Sequence, residues 1–449
     1  MKNSIIIFLI LLLSLSLKAQ DTVQLNVLQC HEMALRNSRE LQHSENAVQQ
    51  AKLTRKAVLT NFFPQIEGSA TGIYTKDYNL IHAPSGDIDL LIRGAYMCGF
   101  QLTQPIYVGG KIRNGYRLTK IGIEAAEEQQ RMQRAQIIVD VENAYWTYVA
   151  TLEKVSLLEE YKNMLETLRE QVENSVDVGM ATDYDLMQLK AAYSNILYQM
   201  KRTQSGVALC RMALSRMIGI DYDSVYIAPD NTINIAEMPS NISSDISERP
   251  EVKLMNLQLK ANKLQVKMTV ADYLPTLGLG LGYIWFGNIK LKGDFLFDQI
   301  GLLPINPPVS YHLDKEFKYD APVVMLSLKV PITKWWEGSY NIKKAKLEVE
   351  NSRLDKERNE ELLQLEVRQA IFKLEEGYQL IEASKLALDA ATEQLRMANN
   401  RYEVSLTPLS DFLDAQLKWQ QAKSDYIEAQ TQYLIYQIDY KRVTGALQE

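Results

Sequence analysis

Residues 138–155 read IVDVENAYWTYVATLEKV, and residues 367–381 read VRQAIFKLEEGYQLI. In the first stretch Ile138, Val141, Tyr145, Tyr148, Leu152 and Val155 step by alternating three and four residues; in the second, Val367, Ile371, Leu374, Tyr378 and Ile381 do the same. An apolar stripe with that spacing is a coiled-coil seam. Each of these residues by itself reads as core packing, and it is the extent of the pattern that decides the fold. No Pro interrupts the chain from Ile106 to Val176, and a helix over that span is about 100 Å long at 1.5 Å per residue. A compact domain is not that tall. Returning helices over 183–219 and 409–445 cover roughly half of the length, and helices over 28–62 and 243–273 have nearly the remainder, so pairs stacked end to end can match the long ones.

The two stretches are copies. Pro105 pairs with Pro331, Val141 with Val367, Ala144 with Ala370, Asp185 with Asp411 and Gly219 with Gly445 at one constant separation, while Glu40 pairs with Glu251 and Pro64 with Pro275 at a second. The chain is therefore one unit duplicated, with repeats over 28–219 and 242–445. Each repeat reads as helix, two strands, very long helix, turn and shorter helix, with helical hairpins over 105–219 and 331–445. The change of separation places an insertion around 287–320. With Pro304, Pro307 and Pro308 it is expected to be a long loop.

Strand segments lie at 65–104 and 276–330. Ile66, Gly68, Ala70, Gly72 and Tyr74 alternate with Gln65, Glu67, Ser69 and Thr71; Tyr96, Cys98, Phe100 and Leu102 alternate with Met97, Gly99, Gln101 and Thr103. In the second repeat Leu277, Leu279, Leu281, Tyr283 and Trp285 alternate with Gly278, Gly280 and Gly282, and Val324, Leu326, Leu328 and Val330 complete the set. Each run is about ten residues with one apolar face, the length of a tilted strand that crosses a bilayer. Four strands cannot close a barrel around a lumen, and an open edge in lipid leaves backbone groups unpaired, so several chains must pool their strands. Amphipathic hairpins covering a soluble core would alternate in the same way, but no further apolar layer is written nearby.

Lys2, the apolar run Ile5 to Leu17 broken by Ser14 and Ser16, and Lys18-Ala19-Gln20 read as a secretory signal peptide over 1–19, leaving 20–449 as one unit. After it there is no run of 18 apolar residues, so a membrane crossing would be made by strands. The net charge of −6 and the lack of a basic block argue against a nucleic-acid partner. Cys30, Cys98 and Cys210 are odd in number and unrelated in spacing, and read as unpaired packing residues. His31-Glu32 is half of a zinc-protease motif, but Leu35 stands where the second His belongs. With no metal-ligand grouping among four His, no phosphate-binding glycine loop and no nucleophile elbow, neither an enzyme nor a cofactor is expected.

The duplicated plan, the segment Gln104-Pro105-Ile106-Tyr107-Val108-Gly109-Gly110 and two turn segments together resemble the TolC family of outer-membrane efflux proteins, over nearly the whole mature chain. The turns are Val178-Gly179-Met180-Ala181-Thr182 and Val404-Ser405-Leu406-Thr407-Pro408 with the following Ser410-Asp411-Phe412-Leu413-Asp414-Ala415. The resemblance implies a mainly α chain with a membrane β-barrel: a homotrimer whose four strands per chain build a twelve-stranded barrel on a periplasmic tunnel of antiparallel coiled-coil helices. It implies a passive exit duct of an efflux or type I secretion system, in the outer membrane of a Gram-negative bacterium. The helix tips, Val178 to Thr182 and Val404 to Thr407, would engage a periplasmic adaptor (membrane fusion) protein joined to an inner-membrane pump of the RND, ABC or MFS type.

It also implies a gate at those tips, with Asp411 and Asp414 matching an acidic ring, and Asp185 and Tyr402 matching positions that hold neighbouring helix pairs together. Carboxylates repeated around a narrow pore favour cations, although two Asp three apart on a helix otherwise read as a solvated face. The chain departs from the family pattern at Ser405, where Gly is usual, and at Thr407, where some members carry a basic residue, so a weaker or rewired latch is expected. Among 24 Tyr and 5 Trp, Tyr74, Tyr96, Tyr283 and Trp285 are the candidates for a belt at the interface with outer-membrane lipid. The rival reading is a periplasmic coiled-coil scaffold or adaptor without a pore, for which four membrane-length strands have no use.

Overall fold

The computed structural model describes residues 21–447 apart from 77, 84–85, 222–224, 230–232, 234, 236–237, 239–241 and 301–302, so the expected signal peptide lies outside the described residues. Ahead of the repeats comes β1 (Asp21–Leu25), and the first repeat then runs through α1 (Val27–Asn37), α2 (Arg39–Leu59), β2 (Gln65–Ile73), β3 (Tyr78–Ala83) and β4 (Gly86–Leu91). It continues as β5 (Ala95–Val108), α3 (Lys111–Asp177) and α4 (Asp183–Ile218), and β6 (Val225–Pro229) lies between the repeats. The second comprises α5 (Pro250–Ala271), β7 (Thr276–Ile300), β8 (Leu303–Lys329), α6 (Glu337–Glu403) and α7 (Leu409–Val443). Helices α3 and α6 are each 67 residues long, which at 1.5 Å per residue is about 100 Å. No helix among the described residues is long and apolar enough to cross a membrane.

The helix read over 28–62 is two helices. Ser38 leaves helical geometry at φ −65°, ψ 123°, and its hydroxyl accepts the Leu41 N–H at 3.2 Å. It acts as a new N-cap.

Two compact units make up the chain: Met1–Gln49, Glu124–Asn256 and Leu354–Glu449 form one, and Gln50–Ile123 with Leu257–Arg353 form the other. In the first, the α3 seam meets α1 and α4 in a core of Cys30, Ala34, Val141, Tyr145, Tyr148, Leu214 and Ile218. There β1 and β6 pair in parallel, and the Tyr145 hydroxyl donates to the Leu25 carbonyl at 3.2 Å. Gly219 ends α4 at φ +76°, and a Cβ there would lie 2.6 Å from that of Asn37, whose amide donates to the Ile218 carbonyl at 2.8 Å. Both the left-handed backbone and the close approach require glycine. The repeat partner Gly445 has φ +73°.

The second unit holds a sheet in the order β2-β5-β7-β4-β3, with β8 along the other edge of β7. β7 pairs with β5 over its first part, through Gly287, and with β4 from Lys290 onward. Two features differ from the sequence reading. The first repeat carries the extra strands β3 and β4, and the insertion at 287–320, expected as a loop, continues β7 and β8 as one long antiparallel ladder. Its Pro residues fit because β8 is an edge strand, where a missing N–H is tolerated. Pro307 and Pro308 fall where the register skips from Val309 to Pro304.

Candidate functional site

The two helix tips have the same backbone. At the first, Gly179 adopts φ +74°, its N–H donates to the Val176 carbonyl at 2.9 Å, and that of Met180 donates to Ser175 at 2.7 Å. At the second, Ser405 adopts φ +60°, its N–H donates to Tyr402 at 2.9 Å, and that of Leu406 donates to Arg401 at 2.8 Å. Both are Schellman closures with the left-handed residue after the helix end. The difference from the family pattern at Ser405 therefore leaves the turn intact and adds backbone strain.

The residues that start the return helices differ. Thr182 caps α4: its side chain accepts the Asp185 N–H at 3.2 Å, and the Asp185 carboxylate accepts the Thr182 N–H at 3.0 Å and its hydroxyl at 2.6 Å. In the second repeat the cap position is Pro408, which makes no side-chain cap bond. Asp411, the repeat partner of Asp185, is thereby released from capping: it is exposed and accepts a long 3.4 Å bond from the Ser410 hydroxyl. Asp414 is exposed beside it on the same helix face and pairs with Lys418 at 2.7 Å.

Both tips share one apolar cluster, in which Val172, Leu189, Leu409, Phe412 and Leu413 are buried and Tyr402 is packed against them. Tyr402 stacks on Phe412 with ring centres 5.3 Å apart. Burial, then the negative charge of Asp185, push its phenol above the ordinary value of 10.0. Of the four residues matched to the gate, Asp185 and Tyr402 are thus brought together, while Asp411 and Asp414 lie on the open face of α7. Val178, Met180, Val404 and Leu406 are 70%, 81%, 63% and 75% exposed, and Ala181 and Thr407 are half-buried.

The register of the sheet assigns its two sides over the first part of β7. Opposed pairs Ile66↔Leu102 and Gly68↔Phe100, Phe100↔Tyr283 and Cys98↔Trp285, and Leu281↔Val324 and Leu279↔Leu326 share one side, since facing residues project together. The other side carries Glu67, Ser69, Gln101, Thr103 and Ser327 with the small Gly280 and Gly282, and also Met97, Ile284, Phe286, Val323 and Met325. A cavity of about 270 Å³ lies there, lined by Ser69, Met97, Gln101, Gly280 and Met325 among others.

Tyr74, Tyr96, Tyr283 and Trp285 collect at the far end of the apolar side. Tyr283 and Trp285 have ring centres 4.6 Å apart, Tyr96 faces Gly287, and Arg93 lies 6.0 Å over the Tyr74 ring. At the opposite end, Trp335 and Trp336 are 78% and 72% exposed. The sequence reading passed over this pair, although two adjacent Trp just after Pro331 were a visible signal.

His31, set aside as a metal ligand on sequence, lies 3.3 Å from Glu142. Burial pushes the Cys30 thiol up to about 11. Among the described residues no group of three or more His, Cys, Asp or Glu could hold a metal ion.

Residues 31–219 and 241–446 match the family model described as outer membrane efflux protein. The chain belongs to that family. This outer membrane efflux protein is 22% identical over 440 residues to the outer membrane protein TolC of Escherichia coli, covering 94% of this chain and 83% of TolC. It is 21% identical over 363 residues to TtgC of Pseudomonas putida, a probable efflux pump outer membrane protein, covering 76% of this chain and 67% of TtgC. Its fold matches crystal structures of CusC with a TM-score of 0.75 at 17% identity, covering 94% of this chain and 92% of CusC. It matches the Campylobacter jejuni CmeC outer membrane channel with a TM-score of 0.74 at 19% identity, covering 94% and 86%.

Proposed function

We infer that this outer membrane efflux protein is the exit duct of a tripartite efflux or type I secretion system: a passive, water-filled conduit made by three copies, gated at the helix tips. The observation that carries this reading is the open sheet. Its edge strands β2 and β8 are exposed, with Ile66, Val324, Leu326 and Leu328 between 65% and 74% accessible. An apolar sheet with free edges is unstable in lipid until the edges are paired. Four strands from each of three chains, β2 of one copy meeting β8 of the next, close a twelve-stranded barrel whose apolar side faces lipid. Tyr74, Tyr96, Tyr283 and Trp285 would form the outer interfacial belt and Trp335 and Trp336 the inner one. Along α6, Leu347, Leu354, Leu365, Phe372 and Leu386 are at least half exposed at steps of seven, eleven, seven and fourteen, a stripe suited to a helix of a neighbouring copy.

The exposed Val178, Met180, Val404 and Leu406 offer apolar contacts to the hairpin of a periplasmic adaptor, which would join the duct to an inner-membrane pump. Asp411 and Asp414, three-fold repeated, supply the negative field of a cation-favouring constriction. Because Lys418 already partners Asp414, Asp411 carries more of that field.

Single-channel conductance in planar bilayers tests both parts. The expected outcome is a small cation-selective conductance that rises or loses selectivity in Asp411→Ala/Asp414→Ala, with Asp411→Ala alone giving most of the change. A pore indifferent to these substitutions keeps the duct and discards the gate. A membrane-inserted oligomer that conducts nothing supports the poreless scaffold instead.

A further inference from the structure

The sheet side that carries Tyr283 and Trp285 turns from apolar to charged at Asn288. From Phe286 to Ile289, β7 advances three residues while β8 advances two, from Tyr319 to Phe317. One extra residue in β7 slips its alternation by one, which moves every later β7 side chain to the opposite side, while β8 keeps its own alternation. The bulge is built in. Asn288 takes φ +61°, and its amide donates to the carbonyls of Arg93 and Gly94 at 3.1 and 3.0 Å, fastening the turn between β4 and β5.

Beyond it, the side continuous with Glu67, Ser69 and Gln101, already apolar at Ile284, Phe286, Tyr319 and Val323, stays apolar: Ile88, Leu90, Leu291, Phe295, Tyr311 and Phe317 project there. Phe295 and Tyr311 have ring centres 6.5 Å apart. A Cβ on Gly293 would meet the Phe295 ring at 3.2 Å and Ile88 at 3.5 Å, so these side chains lie across the glycine. Lys315 interrupts this side with its ammonium 5.7 Å over the Phe317 ring. The side continuous with Tyr283 and Trp285 becomes charged, carrying Asp87, Asp89, Lys292, Asp294, His312 and Asp314 between Leu91 and Leu296. Lys292 pairs with Asp314 at 3.5 Å, and His312 contacts Asp294.

The inversion has a physical reading that rests on the duct proposed above. On the helix side of Asn288 the outer surface is apolar and meets lipid; beyond it the outer surface is charged and fit for water, while the inner surface is apolar. Among the described residues of that inner surface, Tyr311 is 57% and Phe317 40% exposed. We propose that Asn288 marks the outer edge of the membrane, and that the apolar inner sides of the three extensions pack against one another around the axis. They form an apolar collar that narrows the outer mouth of the duct. The occupant of each apolar face is the same face of the other two copies, because it continues the side that faces the lumen while the charged side is turned outward. A constriction of this kind resists ions by dewetting, independently of the acidic tips.

Cysteine cross-linking tests the collar. In a Cys30→Ala/Cys98→Ala/Cys210→Ala background, Phe317→Cys and, further along the same face, Tyr311→Cys are compared with Asp314→Cys on the opposite face. The membrane-inserted oligomer is treated with a short bis-maleimide, and its conductance is recorded in parallel. Phe317→Cys or Tyr311→Cys is expected to give covalent dimers and trimers in several-fold excess over Asp314→Cys, and to react several-fold more slowly with an impermeant maleimide. Equal labelling and no cross-linking in an oligomer that still conducts overturns the collar and leaves the duct. Protection found only in intact cells assigns the face to a foreign partner and also overturns it. A parent that forms no conducting oligomer removes the duct and the collar together.

Discussion

Ser405 does with a side chain what Gly179 does without one. Both sit left-handed after a long helix and close it with the same pair of hydrogen bonds, but a non-glycine residue in this region carries about 1 kcal/mol of strain. Ser405→Gly is therefore expected to raise the unfolding midpoint, by an amount equivalent to about 0.5–1 kcal/mol per chain, and Gly179→Ser to lower it by a similar amount. Thermal melts in detergent check this, and a Ser405→Gly variant that melts no higher would remove the strain account. Asp185 and Asp411 make the complementary point. The repeat aligns them, yet one is used up as a cap by Thr182 and the other is left open by Pro408.

The start of α5 is held by charge. Arg249, whose side chain is only 2% exposed, pairs with Glu251 at 2.9 Å and with Glu366 of α6 at 2.8 Å; Glu366 also takes Arg442 of α7 at 2.9 Å. Burial acts to raise the Glu366 carboxyl, but hydrogen bonds from Arg249 and Arg442 overcome it and hold the group below its ordinary 4.5. A carboxyl lowered in the folded chain contributes stability above its ordinary value, and this is lost as pH falls from about 4.5 through the lowered one. The melting midpoint of the wild type should therefore fall more steeply below about pH 4.5 than that of Glu366→Gln. At neutral pH the variant should be less stable by about 1–3 kcal/mol, since the Arg249 guanidinium then keeps only Glu251. Parallel acid dependence in the two proteins would exclude Glu366 as the source.

The open sheet makes the single chain an incomplete object. Light scattering of the purified protein, corrected for detergent, should give the mass of three chains, and a monodisperse monomer would leave the β2 and β8 edges without partners. The helical plan was open to reading in advance, because a seam of alternating three and four residues, kept in register between two repeats, has one regular solution. The strands on the helix side of Asn288 were equally legible, since period two is local. The break at Ser38 and the course of 287–320 were not: one depends on a single hydroxyl taking a backbone N–H, the other on prolines that an edge strand tolerates and a central one would not.

What the sequence determined by itself was repetition, helix length and the two-faced character of each strand, all set by neighbours within a few residues. What only the tertiary structure decided was which way those faces point and which of two matching residues remains free. Side in a sheet is counted from the register of the neighbouring strand, so one extra residue at Asn288 inverts it. The availability of Asp411 likewise depends on what stands three residues earlier at the cap, a hydrogen-bond geometry that matched letters in two repeats do not contain.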